Sequence, residues 1–148
     1  MEILGAVLLG IVWAGHPVRF DLLTHEDKQF IAFYDADRKI TVGMRALDDD
    51  AWTFAQPEGV WLEKRGRLSS EIAWDSHNSL VMAIDDAGYI HLCGNMHVDP
   101  LIYFRTARPL DVTSFERVNH MVGSEEDRCT YPVFMRGANN ELIFRYRD

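Results

Sequence analysis

The chain has 148 residues, 47% of them hydrophobic and 11% aromatic, which is enough to fill the core of one domain and too apolar for disorder. Lys and Arg number 15 against 23 Asp and Glu. The formal charge of -8 therefore argues against nucleic acid or an anionic membrane as partner, and leaves any acidic ligand to a few local cations. Cys93 and Cys129 are too few for a disulfide scaffold and lack the C-x-x-C spacing of a structural zinc module.

Residues 3–13 form an apolar stretch that follows Glu2 without a basic leader and is too short to span a bilayer. They read as a buried first strand with its loop, so residues 1–12 stand apart, as strand or leader, from a domain over 13–148. Strand signals, meaning short runs of aromatic and branched residues between turn residues, cover 29–34, 39–44, 80–84, 89–93, 101–105, 131–135 and 142–146. No long amphipathic helix is predicted. Asp35-Ala36-Asp37-Arg38, Asp85-Asp86-Ala87-Gly88 and Gly137-Ala138-Asn139-Asn140 supply tight turns. Asp48-Asp49-Asp50 and Ser124-Glu125-Glu126-Asp127 are assigned to solvated turns with no function.

The three hairpins superpose, with Ile40, Ile90 and Leu142 at equivalent points fifty and fifty-two residues apart. A period of about 50 residues made of antiparallel strands is that of a propeller blade, so the predicted fold is all-β, a β-propeller fragment of about two to three blades. Fourth strands are expected near Trp52-Thr53-Phe54 and Ser114-Phe115-Glu116-Arg117. Propellers close with roughly four to eight blades, so this arc implies missing blades, truncation after Asp148, or self-association through open strand edges.

Two histidines flank the second hairpin: His77 just before it and His97 just after. A hairpin sets its outer ends side by side, so the two imidazoles can meet at one mouth of the blade. Two histidines satisfied by backbone carbonyls would fit that spacing equally well. Tyr131 and Arg147 bracket the third hairpin in the same way. If neighbouring blades share a face, two imidazoles, a phenol and a guanidinium converge, a set suited to removing a proton next to a carboxylate. Glu71 and Asp75 could instead be a glycosidase carboxylate pair, though nothing fixes their separation. His91, Cys93 and His97 are candidate zinc donors, joined by Cys129 only if it lies on the adjacent blade, and no fourth ligand is evident, so a structural metal stays unassigned and no cofactor is required for the chemistry. Trp52, Trp61 and Trp74 could stack on sugars or fill the core.

Trp13-Ala14-Gly15-His16-Pro17-Val18, Phe30-Ile31-Ala32-Phe33-Tyr34-Asp35-Ala36, Trp74-Asp75-Ser76-His77-Asn78, Gly94-Asn95-Met96-His97 and Arg128-Cys129-Thr130-Tyr131-Pro132 together resemble BNR-repeat proteins related to the ulvan lyases. The resemblance runs from about Trp13 to the end. It implies a seven-bladed propeller, mostly secreted or periplasmic, that acts on an acidic polysaccharide by β-elimination at a uronate, often with a structural metal. It also implies that His77 helps neutralise the uronate, that His97 and Tyr131 are base and acid in an order left open, and that Arg147 clamps the carboxylate. Arg145 is a substitute on the same strand face, and Asn78, Asn95 and Arg128 are further candidate substrate contacts. Related propellers that hydrolyse rhamnose-glucuronate linkages through a different histidine make His16 the alternative site, and a non-catalytic sugar-binding or structural arc is the third reading.

Overall fold

The computed structural model describes residues 10–15 and 17–148. Most of the predicted first strand, and His16, lie outside the described residues. Of that stretch, Val12 bridges Asp35 and the Trp13 N–H donates to the Tyr34 carbonyl at 2.9 Å.

In chain order the strands are β1 (Asp21–His25), β2 (Lys28–Tyr34), β3 (Ile40–Ala46), β4 (Thr53–Ala55), β5 (Trp61–Leu62), β6 (Arg67–Leu68), β7 (Leu80–Ile84), β8 (Ile90–Gly94), β9 (His97–Asp99), β10 (Tyr103–Thr106), β11 (Phe115–Arg117), β12 (Cys129–Arg136) and β13 (Leu142–Arg147). They pair antiparallel into sheets ordered β1-β2-β3-β4, β11-β10-β8-β7 and β13-β12-β9, with β5-β6 as a separate ribbon. Among the described residues the helical content is one 3-10 turn, Val112–Ser114. The fold is an all-β arc of propeller blades, as the repeat implies.

The three superposed hairpins share their turns at the level of single hydrogen bonds. Arg38, Gly88 and Asn140 each take a positive φ, of 66°, 83° and 63°. The Asp35 carboxylate accepts from the Asp37 and Lys39 N–H groups, and that of Asp85 from the Ala87 and Tyr89 N–H groups. Asp and Asn are chosen at such turns because their short side chains satisfy nearby backbone. Where Gly137 has no carboxylate, Glu141 reaches back to the Asn139 N–H instead.

Both expected fourth strands are present, at Thr53–Ala55 and Phe115–Arg117, but the two four-stranded sheets reach that number differently. Thr53–Ala55 joins β3 directly and lies fifty residues before Tyr103 of β10, whereas Phe115–Arg117 is outermost, beyond β10. The first sheet gains its extra strand, β1, ahead of the hairpin. β1 escapes a reading of the sequence because Asp21-Leu22-Leu23-Thr24-His25 shows no apolar alternation: Leu22 is exposed while Asp21 and His25 are half-buried.

The core lies between blades. Phe30, Ala32 and Tyr34 of β2, Ile40 and Val42 of β3, Leu80 of β7, and Ile90 and Leu92 of β8 are buried to within 1%. Val81 and Phe33, on the alternate faces, are buried too. Strands covered on both faces lose polar alternation and read as continuous apolar runs. Tyr34 ties this core to the functional loop, since its hydroxyl donates to the Asn78 carbonyl at 2.7 Å. Glu126 is a second anchor, where the sequence suggests only a solvated turn. Its buried carboxylate accepts from the Met121, Val122 and Gly123 N–H groups; burial alone would raise its pKa, but these bonds outweigh that and lower it.

Candidate active site

The site forms where the second hairpin opens. Asp75 accepts from the His77 N–H at 2.9 Å through Oδ1, the two-residue reach of an Asx turn. This folds the approach to β7 back so that the His77 ring also meets the carboxylate, with Nδ1 to Oδ1 at 2.5 Å. On the other side, β8 ends at Gly94 with φ 152°, where a Cβ would lie 2.3 Å from the Ser79 carbonyl oxygen. Only glycine fits there, and the close approach delivers His97 to the same carboxylate through Nδ1 and Oδ2. The two imidazoles stack with centroids 3.9 Å apart and planes at 25°.

β9 carries His97 into pairing with β12, with His97 opposite Thr130. Pro132 has no N–H for the ladder, and the register of β12 slips between Thr130 and Val133. Within this bulge Tyr131 takes φ 55°, a conformation that costs a non-glycine residue about 1–3 kcal/mol and recurs at functional positions. Its ring stands 47% exposed, 5.3 Å from the His77 ring, and the Arg147 guanidinium lies 4.7 Å from its centroid.

Behind the site the β5-β6 ribbon fixes β9. Arg65 donates to Asp99 at 2.5 Å and to the His97 and Val98 carbonyls at 3.0 and 2.9 Å, while Arg67 donates to the Asn95 carbonyl at 3.1 Å. A cavity of about 150 Å³ runs beside Asp75 and His97, lined also by Arg65, Arg67 and Asn78. Burial pushes the Asp75 carboxyl up, but the His77 backbone N–H and both imidazoles outweigh it and hold it at about 2. Asp75 is thus a carboxylate at any physiological pH. With both Nδ1 positions directed to it, each ring is left its Nε2 for a ligand.

The structure brings together His77, His97, Tyr131 and Arg147. Asn78 lies beside them but is 1% exposed, with no hydrogen-bond partner for either amide atom. Asn95 is corrected as a substrate contact: it is fully buried, and its Nδ2 braces the Ser69 and Glu71 carbonyls. Arg145 shares the exposed face of β13 with Arg147. Arg128 is exposed and lines a different cavity, with Trp61 and Arg65. Trp52 is half-buried and stacked on Phe54, whereas Trp61 and Trp74 are exposed.

The glycosidase pair of Glu71 and Asp75 is also corrected, because both Asp75 oxygens are taken by imidazoles. What the sequence reading missed is that Asp75 joins the histidines, although the Asp75-Ser76-His77 spacing of an Asx turn carried that signal. The suggested zinc donors do not converge: His91 is held by Tyr103 and Asp85, and Cys93 is fully buried. Among the described residues, a metal could instead be held by Asp75, His77 and His97, whose ligand atoms lie within 4.8 Å of one another. Their hydrogen-bonded arrangement fits a proton network in which a metal would displace both Nδ1–H bonds.

Residues 28–148 match a family model described as a BNR repeat-containing family member. No curated protein matches the chain. Among solved structures, one described as a new family of polysaccharide lyase, the PL25 ulvan lyase, superposes with a TM-score of 0.66 at 17% identity, over 95% of this chain and 33% of that one. The same lyase bound to -[GlcA(1-4)Rha3S]- gives 0.64 at 17% identity, over 95% and 33%. Polysaccharide lyase Uly1 gives 0.65 at 16% identity, over 99% and 40%. The chain therefore spans between a third and two fifths of these structures, and the likeness at such identities is one of fold.

Proposed function

Because this chain belongs to the BNR repeat-containing family, we propose that it carries the proton-transfer half-site of a polysaccharide lyase that cleaves at a uronate by β-elimination. The observation that carries the reading is the grouping of two imidazoles, a phenol and a guanidinium around one ionised carboxylate at a half-exposed surface.

In this reading Arg147 and His77 draw charge from the uronate carboxylate, which makes the neighbouring C5–H acidic enough to remove. His97 and Tyr131 form the acid-base pair. One takes the C5 proton, the C5 electron pair forms the C4–C5 double bond, and the C4–O bond breaks while the other partner protonates the leaving oxygen. Asp75 touches no substrate. It accepts from the Nδ1–H of each ring and aims Nε2 outward, which leaves the His97 Nε2 to take or give a proton, while its charge balances a doubly protonated His77 that donates Nε2–H to the uronate. The similar lyase that was solved with a glucuronate-rhamnose sulfate repeat bound supports a substrate of that class.

The test is the ultraviolet absorbance of the unsaturated uronate when the chain is incubated with ulvan. Turnover should appear and should fall about 10²–10⁴-fold in His97→Ala and in Tyr131→Phe, the usual range for loss of a general acid or base. New reducing ends without that absorbance would mean hydrolysis and would sink the reading.

A further inference from the structure

We propose that the cavity lined by Trp61, Lys64, Arg65, Val98 and Arg128 is a second subsite, which takes an anionic sugar of the same polysaccharide chain beyond the one that loses its proton. This deepens the lyase reading and rests on its substrate class.

The cavity holds about 510 Å³, within the roughly 300–1,000 Å³ of small-ligand sites, whereas the space beside His97 holds about 150 Å³. Its wall includes the indole of Trp61, 54% exposed on the short strand β5, and Val98, 37% exposed. An exposed indole offers a flat apolar face to the C–H face of a pyranose together with a polar N–H edge. Glu63 and Asp127 also line the cavity, yet Lys64 and Arg128 make no ion pair with any described residue. Unpaired cations are the groups that hold a carboxylate or sulfate, and this cavity carries two of them beside Arg65 in a chain of net charge -8.

Arg65 joins the two places. It lines both cavities, and its guanidinium is fastened to the His97 and Val98 carbonyls and to Asp99. Because one guanidinium lines both cavities, a polymer held beside His97 can extend past Arg65 into the Trp61 cavity.

The experiment measures, by calorimetry, binding of a tetrasaccharide and an octasaccharide from ulvan, each sulfated and desulfated, to the full chain. A His97→Ala background keeps the ligand from being consumed. The octasaccharide should bind about tenfold more tightly than the tetrasaccharide, and Trp61→Ala should remove that gain while Trp61→Phe, with an unchanged thermal midpoint, keeps most of it. Arg128→Ala should weaken the octasaccharide about fivefold. If desulfation cancels that loss, the anion is a sulfate; if the loss persists, it is a carboxylate. Equal affinity for the two lengths, equal weakening of both by Trp61→Ala, or no binding would overturn the subsite. Unsaturated product without length-dependent binding overturns the subsite and leaves the lyase reading, whereas length-dependent binding without product does the reverse.

Discussion

The first two hairpins share a backbone plan and differ at their open ends. In the first, β1 runs into β2 through a two-residue turn at Glu26 and Asp27, His25 pairs with Lys28, and the Leu47 N–H donates to the Asp27 carbonyl at 2.8 Å. That end is closed by ladder bonds. In the second, among the described residues no strand precedes β7 in its sheet; the Leu80 N–H donates to the Arg19 carbonyl at 3.0 Å, and the incoming loop is free to carry Asp75 and His77 across the mouth toward His97. A hairpin alone does not make a site. The site appears where the neighbouring edge is left to a loop whose side chains are not spent on the sheet.

The largest effect that could break this comparison is expected at Asp75. Asp75→Asn keeps the size but removes the charge and one of the two oxygens that each accept from an imidazole, so kcat should fall at least about a hundredfold with KM changing far less. Asp27→Asn, at the position that the fifty-residue period sets opposite His77, should leave turnover of ulvan unchanged. Equal losses in the two variants would mean that the open ends are not functionally distinct.

The turn ends should behave alike. Asp35→Ala and Asp85→Ala each remove a carboxylate that holds two backbone N–H groups, and each should cost about 1–3 kcal/mol in urea unfolding. A large cost at one and none at the other would contradict the superposition of the hairpins.

The smallest effect concerns pH. The folded-state pKa of Asp75, about 2, lies below the ordinary 3.8, so its ionised form favours the folded state; that contribution is complete above roughly pH 5 and is lost as pH falls through 4 toward 2. Thermal midpoints of the parent and Asp75→Asn should run parallel at higher pH and converge across that acid window. A gap that widens toward acid would show that the carboxylate is not held by the imidazoles.

Much of this was legible along the chain because it is local. Asp35, Asp85 and their partners announce turns through chemistry confined to five residues, and the apolar runs of β2, β7 and β8 announce burial. His77 and His97 were brought together by hairpin geometry alone, as were Tyr131 and Arg147. Asn95 was misjudged because its partners, the Ser69 and Glu71 carbonyls, are more than twenty residues away and arrive only through the fold. The bulge at Tyr131 had a local signal in Pro132, but the ring's position over His77 did not.

By itself, then, the sequence determined the repeat, the hairpins and the residue types that could move a proton, since alternation and turn propensity act over a few residues. Tertiary structure alone decided that Asp75 serves both imidazoles, that the phenol meets them, and that Arg65 links their site to Trp61. Those contacts join different strands and ribbons, and the directions in which side chains meet are set only when whole sheets pack against one another.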